Sequence, residues 1–167
     1  MSTGSTSKTL VIYWSYTGNT ERVAQEAARY LAADIEKLND TTDWSGLKGE
    51  IIRSAKAATK SGTDNLQPIE HDLAAYDNVI VMSPFWGPTV TPTVRSFLRQ
   101  YGEKISNLWL VVTYGYSKFD ACKKEVTKMG LDLRGMFGVK FGIAKKGSEP
   151  GPGDYEDGLH AFLDQIR

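Results

Sequence analysis

Three short, almost uninterrupted apolar runs are the feature that most restricts the fold of this chain of 167 residues. The runs are TLVIYW at residues 9–14, VIVMS at 79–83 and LWLVVTY at 108–114. A strand that is apolar at nearly every position has both faces buried, as happens when helices cover both sides of a parallel sheet. The runs therefore predict the central strands of such a sheet, with helices between them.

The segments that follow the runs carry apolar residues at helical spacing, and each stripe can cover one face of a sheet. The stripes comprise Val23, Ala27 and Leu31; Val94, Phe97, Leu98 and Tyr101; Cys122, Val126 and Met129; and, after an N-cap at Asp154, Leu159, Phe162, Leu163 and Ile166. The pattern predicts alternating strands and helices along the chain.

Two weaker strands complete the sheet, DIEKLN at residues 34–39 and VKFGIA at 139–144, and both are expected near an edge. Five strands joined by right-handed crossovers predict a three-layer α/β/α doubly wound five-stranded parallel sheet. The connection at 39–76 matches this pattern poorly. Within it, LKGEIIRSAKAATK favours a helix and the remainder favours a loop.

The composition excludes several classes of partner. The 20 basic and 20 acidic side chains leave no net charge to attract nucleic acid or an anionic membrane. No window is apolar enough to span a bilayer. Residues 1–8 are polar and lack the apolar core of a signal peptide, so we expect a flexible leader, a single domain over 9–167 and a cytoplasmic location.

The single cysteine, Cys122, can form no internal disulfide, which fits a reducing compartment. We expect it to be a small buried residue, with a reactive thiol as the alternative. His71 and His160 lack partners at metal-ligand spacing, so no metal site is predicted.

The stretch SYTGNT stands where the first strand passes into a helix. A helix N-terminus presents unpaired N–H groups and about half a positive charge, so it can bind an anion without a basic side chain. The six residues are Ser15, Tyr16, Thr17, Gly18, Asn19 and Thr20. No lysine follows as in the loop of nucleotide triphosphatases, so ATP and GTP are not indicated. The stretch predicts a phosphate site; a plain helix cap is the alternative.

Two aromatic loops are expected at the same edge, because the carboxyl ends of parallel strands meet there. They are SPFWGPTVTPT at 83–93 and TYGYS at 113–117. Phe85 and Trp86 lie among prolines, where no strand or helix is expected to bury them; the alternative is that Trp86 packs on the connection at 39–76. The candidate binding residues here are Ser83, Pro84, Phe85, Trp86, Gly87, Thr113, Tyr114, Gly115 and Tyr116. Together the three loops predict a phosphorylated aromatic ligand.

These motifs resemble the flavodoxin family. SYTGNTERVA resembles the flavodoxin loop for the phosphate of FMN, and SPFWGPTVTPTVRSFL and TYGYSKFDACKKEV resemble the two loops beside the flavin ring. The resemblance implies strand order 2-1-3-4-5, with FMN as the cofactor. It also implies that Trp86 and Tyr116 stack on the ring. A receiver domain and a low-mass tyrosine phosphatase lack support, since Trp14 and Ser15 stand where they need carboxylates or a cysteine.

The resemblance implies an electron-transfer protein that exchanges electrons with partner proteins. The alternatives are an FMN-dependent NAD(P)H:quinone-type reductase with a small quinone-like acceptor, and a scaffold that no longer binds FMN. Flavodoxins that carry electrons are typically acidic, whereas this chain is neutral and has Arg95, Lys118, Lys123 and Lys124 near two of the loops in sequence. Fewer negative charges near the flavin should raise the reduction potential for forming the hydroquinone, relative to that of an acidic flavodoxin.

Overall fold

The structure is a computed structural model that describes residues 7–63, 65–87, 89–115, 118–141 and 155–167. Its strands are β1 (Thr9–Tyr13), β2 (Asp34–Lys37), β3 (Asn78–Trp86), β4 (Thr89–Val90), β5 (Leu108–Tyr114) and β6 (Leu133–Lys140). Its helices are α1 (Asn19–Leu31), α2 (Gly46–Thr59), α3 (Pro92–Tyr101), α4 (Phe119–Thr127) and α5 (Tyr155–Leu163), and 3-10 turns lie at Leu73–Ala75 and Gly102–Lys104. None of the helices in these ranges is long and apolar enough to cross a membrane.

The main strands form a parallel sheet in the order β2-β1-β3-β5-β6, and the short β4 pairs antiparallel with the end of β3. With β4 set aside, this is the predicted order 2-1-3-4-5, so the doubly wound fold class is confirmed. The order of the strands reverses between β1 and β3, which lie side by side. Sheets of this kind bind ligands at the carboxyl ends of the strands around that point.

Side chains alternate across the two faces of the sheet and build two cores. On β1, Leu10 and Ile12 enter one core, whereas Val11 and Tyr13 enter the other. Helices α3 and α4 cover the first face, with α2 at its margin, and α1 and α5 cover the second. Each buried aliphatic side chain of this size contributes about 1.5–3 kcal/mol. These cores hold the carboxyl ends of β1, β3 and β5 in fixed register.

The helical stripes pack as predicted in their central residues. Val23 and Ala27 are fully buried on α1, and Val94 and Phe97 are fully buried on α3. The four predicted residues of the last stripe are also buried, namely Leu159, Phe162, Leu163 and Ile166. Met129 lies beyond the end of α4, and Asp154 lies outside the described residues.

The predicted bounds of the last strand are wrong. A strand was expected at 139–144, whereas β6 spans Leu133–Lys140 and residues 142–144 lie outside the described part. Glycines obscure the strand in the sequence because they make room for aromatic rings from other elements. A Cβ on Gly135 would stand 2.9 Å from the ring of Trp109, and one on Gly138 would stand 2.3 Å from the ring of Phe119.

The connection between β2 and β3 contains the helix that its sequence favoured, as α2. Its irregular parts are fixed to α3. The backbone N–H of Thr63 donates to Ser96 Oγ at 2.7 Å, and Ser96 Oγ donates to the Thr63 carbonyl at 2.7 Å. The hydroxyl of Thr93 donates to the carboxylate of Asp40. The connection is therefore a packed part of the fold at the edge where the candidate loops lie.

Candidate functional site at the carboxyl edge of the sheet

The loops after β1, β3 and β5 start side by side. Tyr13 at the end of β1 pairs with Met82 of β3, and Pro84 of β3 pairs with Thr113 of β5. The hydroxyls of Thr20 and Thr113 lie 2.7 Å apart in a buried hydrogen bond, although 93 residues separate them. The structure thus brings the predicted phosphate loop against the end of β5.

Gly18 shapes the start of α1. Its φ of 94° lies in the left-handed region, which glycine adopts without strain, and the helix begins at the next residue. The N–H of Gly18 donates to Ser15 Oγ at 3.1 Å and closes the loop. Among the described residues no side chain caps this helix, and no atom lies within 4 Å of where a Cβ of Gly18 would stand. The end of α1 is an open cradle of N–H groups that fits a phosphate.

The polar residues of this loop divide into inner and outer groups. Thr20 is 1% exposed and its hydroxyl is bonded to Thr113, so its side chain stabilises the loop. Thr17 is exposed, and Ser15 and Asn19 are partly exposed. The outer side chains are the ones that can reach a ligand in front of the helix end.

The acidic residue in the first turn of α1, Glu21, has two side-chain partners. The carboxylate of Glu21 accepts a hydrogen bond from the hydroxyl of Tyr13 at 2.9 Å and lies 3.6 Å from the ammonium group of Lys37. Burial and this bond to Glu21 raise the pKa of Tyr13, so the phenol stays protonated as a donor. These contacts reduce the repulsion that Glu21 would exert on an anion at the helix end.

An aromatic cluster of Trp14, Tyr16, Trp44 and Trp86 lies beside the loop. Trp14 and Trp86 meet edge to face at 5.0 Å between ring centroids, and Trp44 meets Trp86 at 5.7 Å. Tyr16 lies parallel to Trp14 at 6.3 Å and edge-on to Trp86 at 5.9 Å. Trp14 and Trp44 are buried, whereas Tyr16 is 42% exposed and Trp86 is partly exposed. The cluster therefore consists of two partly exposed rings packed on two buried ones.

A cation from α2 covers the outer rings of this cluster. The guanidinium carbon of Arg53 lies 5.1 Å from the centroid of Tyr16 and 5.5 Å from that of Trp86. At these distances the positive charge interacts favourably with the ring faces. Arg53 is the basic group that contacts the two rings that a flat ligand would meet.

Asp40 fixes Trp44, which belongs to the connection between β2 and β3, in its place in the aromatic cluster. The carboxylate accepts from Trp44 Nε1 at 3.1 Å and from the backbone N–H of Thr42 at 2.8 Å. It also accepts from the hydroxyl of Thr93 at the start of α3. Trp44 is thereby held against Trp86, and the alternative that Trp86 packs on this connection is confirmed.

The expectation that no strand would bury Phe85 is wrong, because β3 continues to Trp86 and forms a hairpin with β4. Phe85 is 8% exposed and belongs to the core, so only its backbone remains for a ligand. Ser83 is fully buried, and its hydroxyl donates to the Pro84 carbonyl at 2.7 Å and accepts from the Thr91 N–H at 3.2 Å. These bonds hold the turn at Gly87, which has a φ of 59°.

The third loop is described as far as Gly115. Tyr114 lies nearly parallel to Phe119 at 6.1 Å, and burial raises the pKa of its hydroxyl. Gly115 is partly exposed. Tyr116, the expected second stacking residue, lies outside the described residues, as do Ser117 and Pro88.

The other reactive side chains have structural contacts. Cys122 is fully buried, and burial raises the pKa of its thiol to about 11, so the expectation of a small buried residue is confirmed. His71 Nδ1 lies 2.5 Å from Glu36, and His160 Nε2 lies 2.7 Å from Glu26 while its ring stacks on Tyr30. Within the described ranges, no group of three or more His, Cys, Asp or Glu side chains is placed to hold a metal ion.

No family model matches this sequence, and no curated protein does. Solved structures do match. A flavoprotein in complex with FMN from Lactobacillus acidophilus is 19% identical with a TM-score of 0.69, over 79% of this chain and 93% of that one. A protein from Bacteroides eggerthii assigned as a flavoprotein is 21% identical with a TM-score of 0.71, over 96% of this chain and 98% of that one. The two-electron reduced flavodoxin of Megasphaera elsdenii is 20% identical with a TM-score of 0.53, over 94% of this chain and 98% of that one.

The chain has a flavodoxin-like fold. At these identities the comparison concerns the architecture, and it agrees with the strand order and the carboxyl-edge loops described above. The flavodoxin-like fold that the motifs implied is therefore confirmed.

Sequence reasoning missed Trp14, Trp44 and Arg53 as members of this site. The apolar run at residues 9–14 predicts Trp14 only as the end of a strand, although its place directly before SYTGNT is a signal that it belongs to the site. Trp44 and Arg53 belong to the connection that matched the family poorly, and their contacts with Trp86 are between distant parts of the chain. The spacing of residues along the sequence carries no signal for such contacts.

Proposed function

We propose that this chain binds FMN at the carboxyl edge of the sheet and acts as a flavin-dependent electron-transfer protein. The observation that carries the proposal is the open N-terminus of α1 at Gly18, next to the partly exposed rings of Tyr16 and Trp86. The flavoprotein from Lactobacillus acidophilus with the same fold was crystallised with FMN. FMN carries both a phosphate and a flat aromatic ring, which are the two groups that this edge suits.

The loop at 15–20 would hold the phosphate through neutral donors. The first N–H groups of α1 point out of the helix end, and the hydroxyls of Ser15 and Thr17 are near enough in sequence to add donors. Thr20 keeps the loop in place through its bond to Thr113. A neutral site of this kind suits a monophosphate and needs no lysine.

The aromatic cluster would hold the ring. Tyr16 and Trp86 offer ring surfaces, and Trp14 and Trp44 prevent those rings from turning away. Backbone groups of Ser83–Gly87 and Thr113–Gly115 are proposed for the polar edge of the ring, and Tyr116 is proposed for its second face. When bound, FMN supplies reversible one-electron and two-electron transfer, which the protein tunes through stacking, hydrogen bonds and charge.

The test is a comparison of FMN with riboflavin, which has the same ring and no phosphate. Quenching of flavin fluorescence gives both dissociation constants with the purified protein. We expect FMN to bind at least about 100-fold more tightly than riboflavin, the equivalent of roughly 2.7 kcal/mol from the phosphate contacts. Equal binding of the two flavins would remove the proposed role of the loop, and absence of binding would overturn the function.

A reductase is the second candidate function, and the position of Arg53 favours it. This cation lies over Tyr16 and Trp86, and the balance of 20 basic and 20 acidic residues gives no net negative charge to attract a basic protein partner. A cation beside the ring would favour a flavin that gains negative charge and would suit an anionic nicotinamide nucleotide. The acceptor would then be a small quinone-like molecule.

Mixing the FMN-loaded protein with NADPH in the absence of oxygen separates the two candidates. Loss of flavin absorbance without an added reductase supports the reductase, whereas no change over minutes supports the electron-transfer protein. The variant R53M tests the role of Arg53, and K48M, which removes a lysine from the same helix, is its control. We expect R53M to make the flavin potential more negative in a redox titration and K48M to leave it unchanged.

A further inference from the structure

A groove of about 680 Å³ lies between α3 and α4, on the face of the sheet opposite α1. It reaches Leu108 at the start of β5 and Asp132 just before β6, so it extends toward the amino edge of the sheet. The residues of the proposed FMN site do not line it. The groove is therefore separate from the carboxyl-edge site.

Arg95 is the most unusual residue of this groove. It lies one turn into α3 and is only 5% exposed. Its Nε has no hydrogen-bond partner, and no hydrogen bond or ion pair to its guanidinium exists within the described residues. A buried guanidinium normally has its donors satisfied, because removing an unpaired charge from water is costly. Burial accordingly lowers the pKa of Arg95, and the neighbouring Arg99 lowers it further.

Arg95 shares the lining of the groove with the charged groups that act on it. The groups that act on it electrostatically are Arg99 and Glu125, and both line the groove. The carboxylate of Glu125 is already engaged by the ammonium groups of Lys60 at 2.5 Å and Lys128 at 2.7 Å. Arg95 lines the groove without an ion pair among the described residues, and the acidic group that acts on it, Glu125, is shared between two other cations.

The rest of the lining contains both charged and apolar side chains. The basic residues are Lys60, Arg95, Arg99 and Lys128, and the acidic ones are Glu103, Glu125 and Asp132. The apolar side chains are Leu98, Ile105, Leu108, Met129 and Leu131. A guanidinium matches a carboxylate or phosphate with two parallel hydrogen bonds, and apolar walls favour a hydrocarbon body.

We propose that the groove between α3 and α4 binds a small organic anion, with its carboxylate or phosphate on Arg95 and its apolar body against the partly exposed Met129 and Leu131. The volume suits a molecule of one or two rings. The anion would satisfy donors that the described part of the chain leaves without a partner.

The test uses benzoate and phenyl phosphate as probes, with inorganic phosphate as a probe that lacks the apolar body. The protein is titrated at constant ionic strength set with sodium chloride and with one equivalent of FMN, which fills the loop at 15–20 and leaves little free FMN to compete for the groove. The probes are followed by calorimetry and by the NMR resonance of the Arg95 Nε–H group. We expect saturable binding of at least one organic probe, at least about tenfold tighter than inorganic phosphate, with a shift of that resonance.

The variant R95M provides the decisive comparison, and R134M, at an exposed arginine of β6, is its control. We expect R95M to weaken the organic probe at least about tenfold and to leave FMN binding unchanged, with R134M like the original protein. If R95M does not fold, the Arg95 resonance of the original protein still decides. Binding of neither organic probe, or binding that R95M leaves intact, would overturn the proposal. Because the affinity for FMN is measured in its own titration without any probe, failure of one proposal does not imply failure of the other.

Discussion

The molecule has two places suited to an anion, and they are built in opposite ways. At the end of α1 the donors are neutral N–H and hydroxyl groups that open to solvent around Gly18. Between α3 and α4 the donor is the charged guanidinium of Arg95, a residue that is only 5% exposed. Water hydrates the first set of donors in the free protein, but it hydrates Arg95 poorly. The first site thus costs little stability, whereas the second is expected to reduce it.

The largest expected effect follows from this cost. Replacing Arg95 by methionine should raise the free energy of unfolding by about 1–4 kcal/mol, because a buried charge gives way to an apolar side chain of similar length. Urea unfolding without added anions measures the change. If R95M is instead less stable than the original protein, Arg95 has a structural role, and the contrast between the two sites would disappear.

The second expected effect concerns the inner part of the phosphate loop. Thr20→Val leaves the buried hydroxyl of Thr113 without its partner at 2.7 Å, which should cost about 1–3 kcal/mol of stability. Thr17→Val at the exposed position should change stability by less than about 0.5 kcal/mol and weaken FMN binding. Urea unfolding and FMN titration of both variants separate the two roles. The double variant with Thr113→Val should lose less stability than the two single losses together.

A third, smaller effect compares two glycines that both have a positive φ. Gly18 has a φ of 94° and Gly130 a φ of 68°, and a Cβ would meet no atom within 4 Å at either one. Alanine at either position should cost about 1–2 kcal/mol of stability from the left-handed backbone. Only G18A should also weaken FMN binding, because its methyl group would stand in front of the open helix end. Loss of FMN affinity in G130A would contradict this placement.

The smallest effect concerns the rim of the groove. Hydrogen bonds from Lys128 and Lys60 lower the pKa of Glu125 to about 2 from its ordinary 4.5. Because the folded-state pKa is depressed, the stabilising contribution of Glu125 is present above pH 4.5 and is lost as the pH falls toward 2. Thermal unfolding of E125Q over this range should show a weaker dependence on pH. The same variant should bind the benzoate probe a few-fold more tightly at neutral pH, since Lys60 and Lys128 no longer have a competing carboxylate.

The sequence predicted the regular parts of this fold and missed contacts between distant segments. The predicted bounds of β5 agree with the structure at both ends, because its apolar run continues directly into a predicted loop. The predicted bounds of β6 are wrong, because Gly135 and Gly138 stand where the alternating side chains of a strand were expected. The glycines are explained only by the rings of Trp109 and Phe119, which come from other elements.

The candidate sites divide in the same way. The loop at 15–20 was evident because its residue types are adjacent in sequence. Arg53 and Arg95 were not, because each is a single basic residue on a helix, a pattern that usually indicates a solvated face. Their significance depends on what lies opposite: two aromatic rings for Arg53, and a groove with no available partner in the described chain for Arg95.

The hydrogen bond between Thr20 and Thr113 has a consequence for the order in which the molecule assembles. The two residues are 93 positions apart, and Thr113 reaches its place only when β5 has paired with β3. The loop after β1 is therefore completed late, although its own residues are among the first to be synthesised. A chain interrupted before β5 would contain all six residues of SYTGNT and still lack the bond that fixes them. Binding of a flavin to this loop would therefore indicate that β5 has paired with β3 at the centre of the sheet.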